Sequence, residues 1–436
     1  MARHRSNVKQ TNKKKTRRTK NTTKNRTKNR TKNRTKNRTK NRTKNRTKRI
    51  NQRGGDGEVT LVASLEHDNR VTSVAFHRTL PLLATGSEDN TVKLWRLSAD
   101  NSSATRMATM EEHISPVTSV AFHPTAPLLA TGSNDNTVKL WRFSPEDPSD
   151  AACVLTLAAH DSYVNSVAFH PTAPLLATGS NDNTVKLWRF SPEDPSDATC
   201  VATLAAHSNY VTSVAFHPTE PLLATGSEDE TVILWLLSAD NLSATSVVTL
   251  ADHNDSVWSV AFHPTLPFLA SGSSDNTVRL WLLTPDNSSA SSVATLEHSS
   301  AVYSVAFHRT LPLLATGSRT VRLWSFSPND SSAICVLTLA EHSNGVRCMA
   351  FHPTAPLLAA DSGDNTAKLW RFTQQWQHSA LTRPGLPKNI IDITHHTVSP
   401  QALDIPKSNM PFVSQRRLLD LKLQTHVPVR NTLSTP

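Results

Sequence analysis

The sequence predicts an all-β chain built from seven copies of one four-stranded unit, flanked by two tails. Three observations carry that expectation. An eleven-residue phrase, TGSNDNTVKLW from Thr178 to Trp188, returns in edited form, the copies ending at Trp95, Trp141, Trp188, Trp235, Trp281, Trp324 and Trp370. Successive Trp residues lie 46, 47, 47, 46, 43 and 46 positions apart, a period that marks one supersecondary unit repeated side by side. Within each period the apolar runs and turn clusters account for four strands, and no stretch remains for a long helix.

One unit shows the elements in order. Val164–Phe169 reads as a strand and is closed by the turn His170-Pro171-Thr172-Ala173-Pro174. Leu175-Leu176-Ala177-Thr178 is an apolar run long enough for a second strand. Asn181-Asp182-Asn183 is a turn, because Asn and Asp bond their own backbone and tolerate positive φ. Thr184-Val185-Lys186-Leu187-Trp188 alternates as a half-buried strand does, and Cys200–Leu204 is the fourth strand.

A polar set keeps step with the Trp. His67, His113, His160, His207, His253 and His342 precede their Trp by 28 residues, and His298 by 26. Asp89, Asp135, Asp182, Asp229, Asp275 and Asp364 precede it by six. A hydroxyl recurs four residues before the Asp, at Thr85, Thr131, Thr178, Thr225 and Ser271. These types can form a chain of hydrogen bonds from indole to hydroxyl to imidazole to carboxylate. One reading is a hydrolase relay. The other is a buried polar network that fixes the geometry of every unit, and repetition favours it, since one chain does not need a catalytic set several times over.

The phrase and its polar set resemble the signature of WD-repeat β-propellers across residues 58–372. The resemblance implies a seven-bladed β-propeller in which each His, Thr or Ser, Asp and Trp is a structural tetrad. The Gly usual before the His is here Glu66, Glu112, Ala159, Ala206, Asp252, Glu297 or Glu341, and Arg, Leu or Ser stands where Asp usually follows the Trp. The resemblance also implies a non-catalytic scaffold that gathers protein partners.

Charge divides the chain into a basic arm at 1–53, a propeller at 54–374 and a Pro-containing, mostly irregular tail at 375–436. Residues 1–53 hold 24 Lys and Arg and no acid, whereas residues 54–375 hold 16 Lys and Arg against 32 Asp and Glu. The arm, with Lys-Asn-Arg-Thr tetrads from Lys24 to Thr47, lacks the apolar residues that offset chain entropy and is expected to be disordered. Such an arm binds nucleic acid or another polyanion by releasing counterions. Lys13, Lys14, Lys15, Arg17 and Arg18 are its densest cluster and resemble a nuclear import signal. The alternative expectation is therefore a nucleic-acid-associated protein, with the propeller recruiting partners. The four Cys show no paired spacing, no apolar run reaches the roughly 18 residues of a membrane span, and the start lacks the apolar core of a secretory signal. An intracellular setting, cytoplasmic or nuclear, follows. No phosphate-binding loop or metal-ligand cluster stands out, so no cofactor, metal, membrane or small-molecule substrate is expected.

After Trp370 no outer strand follows, so the Leu-rich segment Val59–Leu65 is expected to complete the seventh sheet. The loop after each repeat His leads into the innermost strand, on the face this family most often uses for partners. Tyr163, Tyr210, Tyr303, Trp258, Arg70 and Arg347 fall at or beside that loop, and these residue types favour interface centres. The other reading is that the aromatics plug the channel or pack on neighbouring blades. The opposite face is expected to carry acidic loops at 144–150 and 191–197 together with both chain ends, so that the arm lies transiently over its own acidic loops. Blade six lacks two turn residues and the Asp, and blade seven has Ala360 for the hydroxyl and Cys348 for a Ser; these form the expected loosest sector. The His of each His-Pro-Thr-type turn, His77 to His352, is read as a turn residue in preference to a metal ligand. A short helix is expected near Val413–Leu423.

Overall fold

A computed structural model describes residues 59–327, 332–339 and 345–372. The arm, His342 and the C-terminal tail with its expected helix lie outside them. Twenty-eight strands form seven antiparallel four-stranded sheets. β1 (Val59–Glu66) comes first and belongs to the last blade. Blade one is β2 (Val71–Phe76), β3 (Leu82–Ser87), β4 (Val92–Leu97) and β5 (Ala104–Met110). Blade two is β6 (Val117–Phe122), β7 (Leu128–Ser133), β8 (Thr137–Arg142) and β9 (Ala152–Ala158). β10 (Val164–Phe169), β11 (Leu175–Ser180), β12 (Val185–Arg189) and β13 (Thr199–Leu204) make blade three. Blade four runs β14 (Val211–Phe216), β15 (Leu222–Ser227), β16 (Val232–Leu237) and β17 (Ala244–Leu250). Blade five runs β18 (Val257–Phe262), β19 (Phe268–Ser273), β20 (Thr277–Leu283) and β21 (Ala290–Glu297). Blade six is β22 (Ser304–Phe307), β23 (Leu313–Gly317), β24 (Val321–Phe326) and β25 (Ala333–Leu339). Blade seven is β26 (Met349–Phe351), β27 (Leu357–Ser362) and β28 (Thr366–Phe372), completed by β1.

That completion is the closure expected from the Leu-rich N-terminal segment. β1 pairs antiparallel with β28 from Val59 opposite Phe372 to Glu66 opposite Thr366, which leaves β28 with no free edge. Each sequence repeat therefore begins one strand before its blade. The only helical turns among the described residues are 3₁₀ turns at Pro148–Asp150 and Pro195–Asp197, where Asp147 and Asp194 cap the backbone inside the two acidic loops. The tight turns at Asn90, Asn136, Asn183, Asn276 and Asn365 use positive φ, as the Asn-rich turns predict, and Glu230 adopts it too, at φ 72°.

The core does not lie within the blades but between them. Seven apolar clusters each join one sheet to the next: Leu94 and Val92 of blade one meet Val117 and Trp141 of blade two, and Leu357 and Ala359 of blade seven meet Val71 and Trp95 of blade one. Gly in the second strand of six blades permits this approach. A Cβ at Gly179 would lie 2.7 Å from Val211 Cγ1, closer than packed atoms allow. Polar links follow the same cyclic order. Ser73, Ser119, Ser166, Ser213 and Ser259 each accept the amide N–H of a Val in the following blade at 3.0–3.1 Å.

The seven turn histidines form a ring of their own. Nδ1 of His77, His123, His170, His217, His263, His308 and His352 accepts two amide N–H groups of its own turn, at 2.8–3.2 Å. Each ring also meets the Phe of the next blade edge-on at 4.8–5.1 Å, from His77 on Phe122 round to His352 on Phe76. Burial pushes all seven down, His77, His263 and His308 to about 4, so the rings are neutral acceptors near pH 7. The turn assignment made from sequence thus has a physical content that repetition alone does not reveal.

Candidate functional site

The geometry of the tetrads decides whether the repeating polar set is chemistry or scaffolding. In blades one to five the Trp Nε1–H donates to the Thr or Ser hydroxyl at 2.8–3.0 Å. That hydroxyl meets His Nε2 at 2.7 Å, and His Nδ1 meets the Asp carboxylate at 2.7–2.9 Å. Because the ionised Asp carboxylate only accepts, the His proton sits on Nδ1, and Nε2 is left as an acceptor for the proton of the hydroxyl that itself accepts from Trp. Thr85, Thr131, Thr178, Thr225 and Ser271 are completely buried, so no hydroxyl is open to a substrate. Burial by itself would raise Asp89, but the hydroxyl and amide of Thr91 and the His67 ring outweigh it and hold the carboxyl at about 2. Burial lowers His67, His160 and His253 despite their carboxylate partners. Each set is a satisfied network that ties the end of one blade's outer strand into the next blade.

The irregular blades depart as the copies suggest. In blade six Trp324 still donates to Thr316 at 2.9 Å, but His298 Nε2 is buried with no hydrogen-bond partner among the described residues. In blade seven Ala360 offers no hydroxyl, and Asp364 pairs instead with Lys368 at 3.1 Å.

The partner-binding candidates separate into two rings, which the sequence reading had grouped together. Arg70, Tyr163 and Tyr210 occupy the position before the first Val of the innermost strand; the matching positions are Pro116, Ser256, Ala301 and Gly345. Tyr163 and Tyr210 stand 48% and 40% exposed on this rim. Trp258, Tyr303 and Arg347 occupy the position after that Val, where blades one to four have Thr72, Thr118, Asn165 and Thr212. Those four side chains each donate to the carbonyl of the first strand residue of the following blade, Val117, Val164, Val211 and Val257. A large rim residue thus accompanies a small inner residue in blades one, three and four, and the reverse holds in blades five to seven.

The inner residues of blades five to seven make different links. Trp258 Nε1 donates to Ser274 at 2.6 Å, and its ring lies 5.9 Å from that of Tyr303, both half-buried. Arg347 is exposed and reaches Glu88 of blade one at 3.3 Å. Asp255, three residues before Trp258, acts on Glu228 of blade four: burial, then the charge of Asp255, pushes Glu228 up.

The opposite face carries the His turns and the loops between third and fourth strands. Arg96 reaches the carbonyl of Glu146 in the next blade's loop at 2.7 Å, and Arg142 that of Glu193 at 2.7 Å. Arg371 reaches the carbonyl of Asp100 across the closing junction. Hydrogen bonds from Ser102 and Ser98 hold exposed Asp100 at about 2, so this side chain is anionic near pH 7. β1 starts and β28 ends on it, which follows from strand direction.

Seven four-stranded sheets, joined cyclically and pinned by Trp-linked tetrads, define a seven-bladed repeat propeller. A family model described as WD domain, G-beta repeat matches residues 59–96, 104–142, 151–189, 198–235, 244–281, 290–325 and 333–371. The chain belongs to the WD-repeat family, whose fold is commonly used for protein–protein interaction scaffolds and is typically non-catalytic. No curated protein matches the chain. Among the described residues no helix is long and apolar enough to cross a membrane.

Proposed function

We propose that the chain is a non-catalytic scaffold or adaptor that seats protein partners on the channel-mouth face, centred on Trp258, Tyr303 and Arg347. One observation carries this reading: at three successive blades the hydrogen-bonded Thr or Asn that ties neighbouring blades gives way to Trp, Tyr and Arg. These residues cost less conformational entropy to immobilise, or offer more directed contacts, than most, and they dominate the energetic centres of interfaces. Arg70, Tyr163 and Tyr210 continue the surface round the rim. The contact between Trp258 and Tyr303 accounts for part of their burial by packing, and their exposed faces are the surface offered to a partner. Proximity capture in cells with the native chain, against a variant carrying Trp258→Ala, Tyr303→Ala and Arg347→Ala, tests the reading. Partners that survive nuclease and disappear with the variant are expected; identical partner sets refute the assignment.

A second reading has its own support in the 24 Lys and Arg of residues 1–53, which lie outside the described residues. In it the arm, including Lys13, Lys14, Lys15, Arg17 and Arg18, binds nucleic acid or another polyanion while the propeller recruits protein. A salt titration of RNA and DNA binding, full chain against a chain starting at Gly54, separates the two: a steep salt slope confined to the full chain supports the arm. The cytoplasm or nucleus suits either reading, and the unpaired Cys153, Cys200, Cys335 and Cys348 suit a reducing setting.

A further inference from the structure

Four departures from the repeat fall on one junction, between blades seven and one. Ala360 replaces the tetrad hydroxyl, and Asp361 stands where the other six blades have Gly. Cys348 replaces the Ser that accepts an amide from the following blade; its thiol takes that role towards Val74. Arg347 replaces the Thr or Asn that binds the following blade's carbonyl and supplies an ion pair with Glu88 instead. At the positions where most other junctions carry Thr or Asn, Ser and Gly, this one has an exposed ion pair, a thiol and a buried acid.

Asp361 is completely buried. Its Oδ1 accepts the amide N–H of Arg347 at 2.6 Å and of Cys348 at 2.9 Å, while Oδ2 is buried and has no hydrogen-bond partner among the described residues. The groups that act on it come from both sides of the junction. Its own blade supplies the Arg347 guanidinium and the Cys348 thiol; blade one supplies the Arg70 guanidinium, with Glu88 drawn in through Arg347. Val71 and Val74 of β2 and Leu357 and Ala359 of β27 belong to the apolar cluster that closes the ring at this junction.

We propose that the seventh-to-first junction is a proton-controlled seam, closed while Asp361 carries a proton and loosened when it ionises. The neutral acid needs no counterion. The carboxylate needs donors at Oδ2, where the described residues of the closed seam offer none, and an opening towards bulk solvent supplies them. Burial, only partly offset by the amides of Cys348 and Arg347 and the two Arg charges, pushes Asp361 up to about 7. An acid raised in the closed form and ordinary in the open form favours closure at low pH. The opening equilibrium then climbs about tenfold per pH unit between roughly pH 4 and pH 7 and levels off above. Cys348 is pushed up well above the usual thiol range and stays neutral throughout. His67, tied to Asp89 nearby, is lowered by burial, and its protonation would loosen blade one in acid, the opposite direction. The inference does not depend on the partner-binding reading, although Arg347 and Glu88 place the seam at the channel mouth.

Hydrogen exchange of the full chain, corrected for the intrinsic pH dependence of amide exchange, tests it. Between pH 5 and pH 8 the opening measured at residues 71–76 and 349–361 is expected to rise on the order of 100-fold, while residues 164–169, at the junction of blades two and three, show no such rise. Asp361→Asn keeps an acceptor for the two amides and should abolish the dependence; Asp361→Gly restores the residue of the other six blades and should do the same. Equal pH behaviour at the two junctions of the native chain overturns the proposal, as does a dependence that survives either substitution.

Discussion

Acid should dismantle this propeller well above the range where an ordinary carboxylate titrates. His77, His263, His298 and His308 are each depressed by burial to about 4, against 6.5 for an ordinary His. A base depressed in the folded state contributes stability that is present above pH 6.5 and lost as pH falls towards 4. Near pH 5 unfolding lets each of the four take up about 0.9 proton. Asp361, raised to about 7, works the other way and releases about one proton on unfolding at that pH. The net uptake is about 3 protons, a slope of about 4 kcal/mol per pH unit. Between pH 7 and pH 4.5 the loss integrates to about 7 kcal/mol, comparable with the whole net stability of an ordinary domain. Urea unfolding at closely spaced pH values measures the slope. His263→Gln, which retains a carbonyl acceptor for the amides of Thr265 and Leu266, should lower it by about 1 kcal/mol per pH unit. A slope below about 1 kcal/mol per pH unit in the native chain would refute the burial of these four histidines in neutral form.

Three further outcomes test the scaffold. Thr178→Val strips the acceptor from Trp188 and the partner from His160, and should cost about 2–4 kcal/mol in urea unfolding; Thr316→Val should cost about half, because His298 Nε2 already has no partner. Gly179→Ala places a Cβ 2.7 Å from Val211 Cγ1 and 3.0 Å from Val214 Cγ1, so a loss of about 1–3 kcal/mol is expected from overpacking. Removing residues 54–66 deletes β1 and exposes β28 as a free edge; the chain should lose its single cooperative transition and aggregate, as light scattering would show.

Much of the scaffold was legible because each feature is written seven times. The strand pattern of Val164–Leu204, the spacing of His160, Thr178, Asp182 and Trp188, and the missing strand after Trp370 all map directly onto sheets, tetrads and closure. The candidate surface was less legible. Reading the copies side by side puts Tyr163 and Trp258 near the same loop, but not in different rings: they flank the equivalent Val two positions apart, one before the innermost strand begins and one within it, and only the path of the entering loop and the place of the neighbouring blade separate their surroundings. The latches from Arg96, Arg142 and Arg371 were missed, since their acceptors are backbone carbonyls about fifty residues away or across the closure. Asp361 did carry a signal, an acid where six copies have Gly, and that comparison would have found it.

The amino-acid sequence by itself determined the unit, its number, the order of its strands and which strand closes the ring, because these depend on periodicity and on local hydrogen-bonding propensities. Tertiary structure alone decided what lies between the units. The His–Phe ring, the Ser-to-amide links and the buried carboxyl of Asp361 join residues on successive blades or across the chain's closure. Their energies depend on distance and on exclusion of water, and neither quantity is a property of a residue until the neighbouring blade is in place.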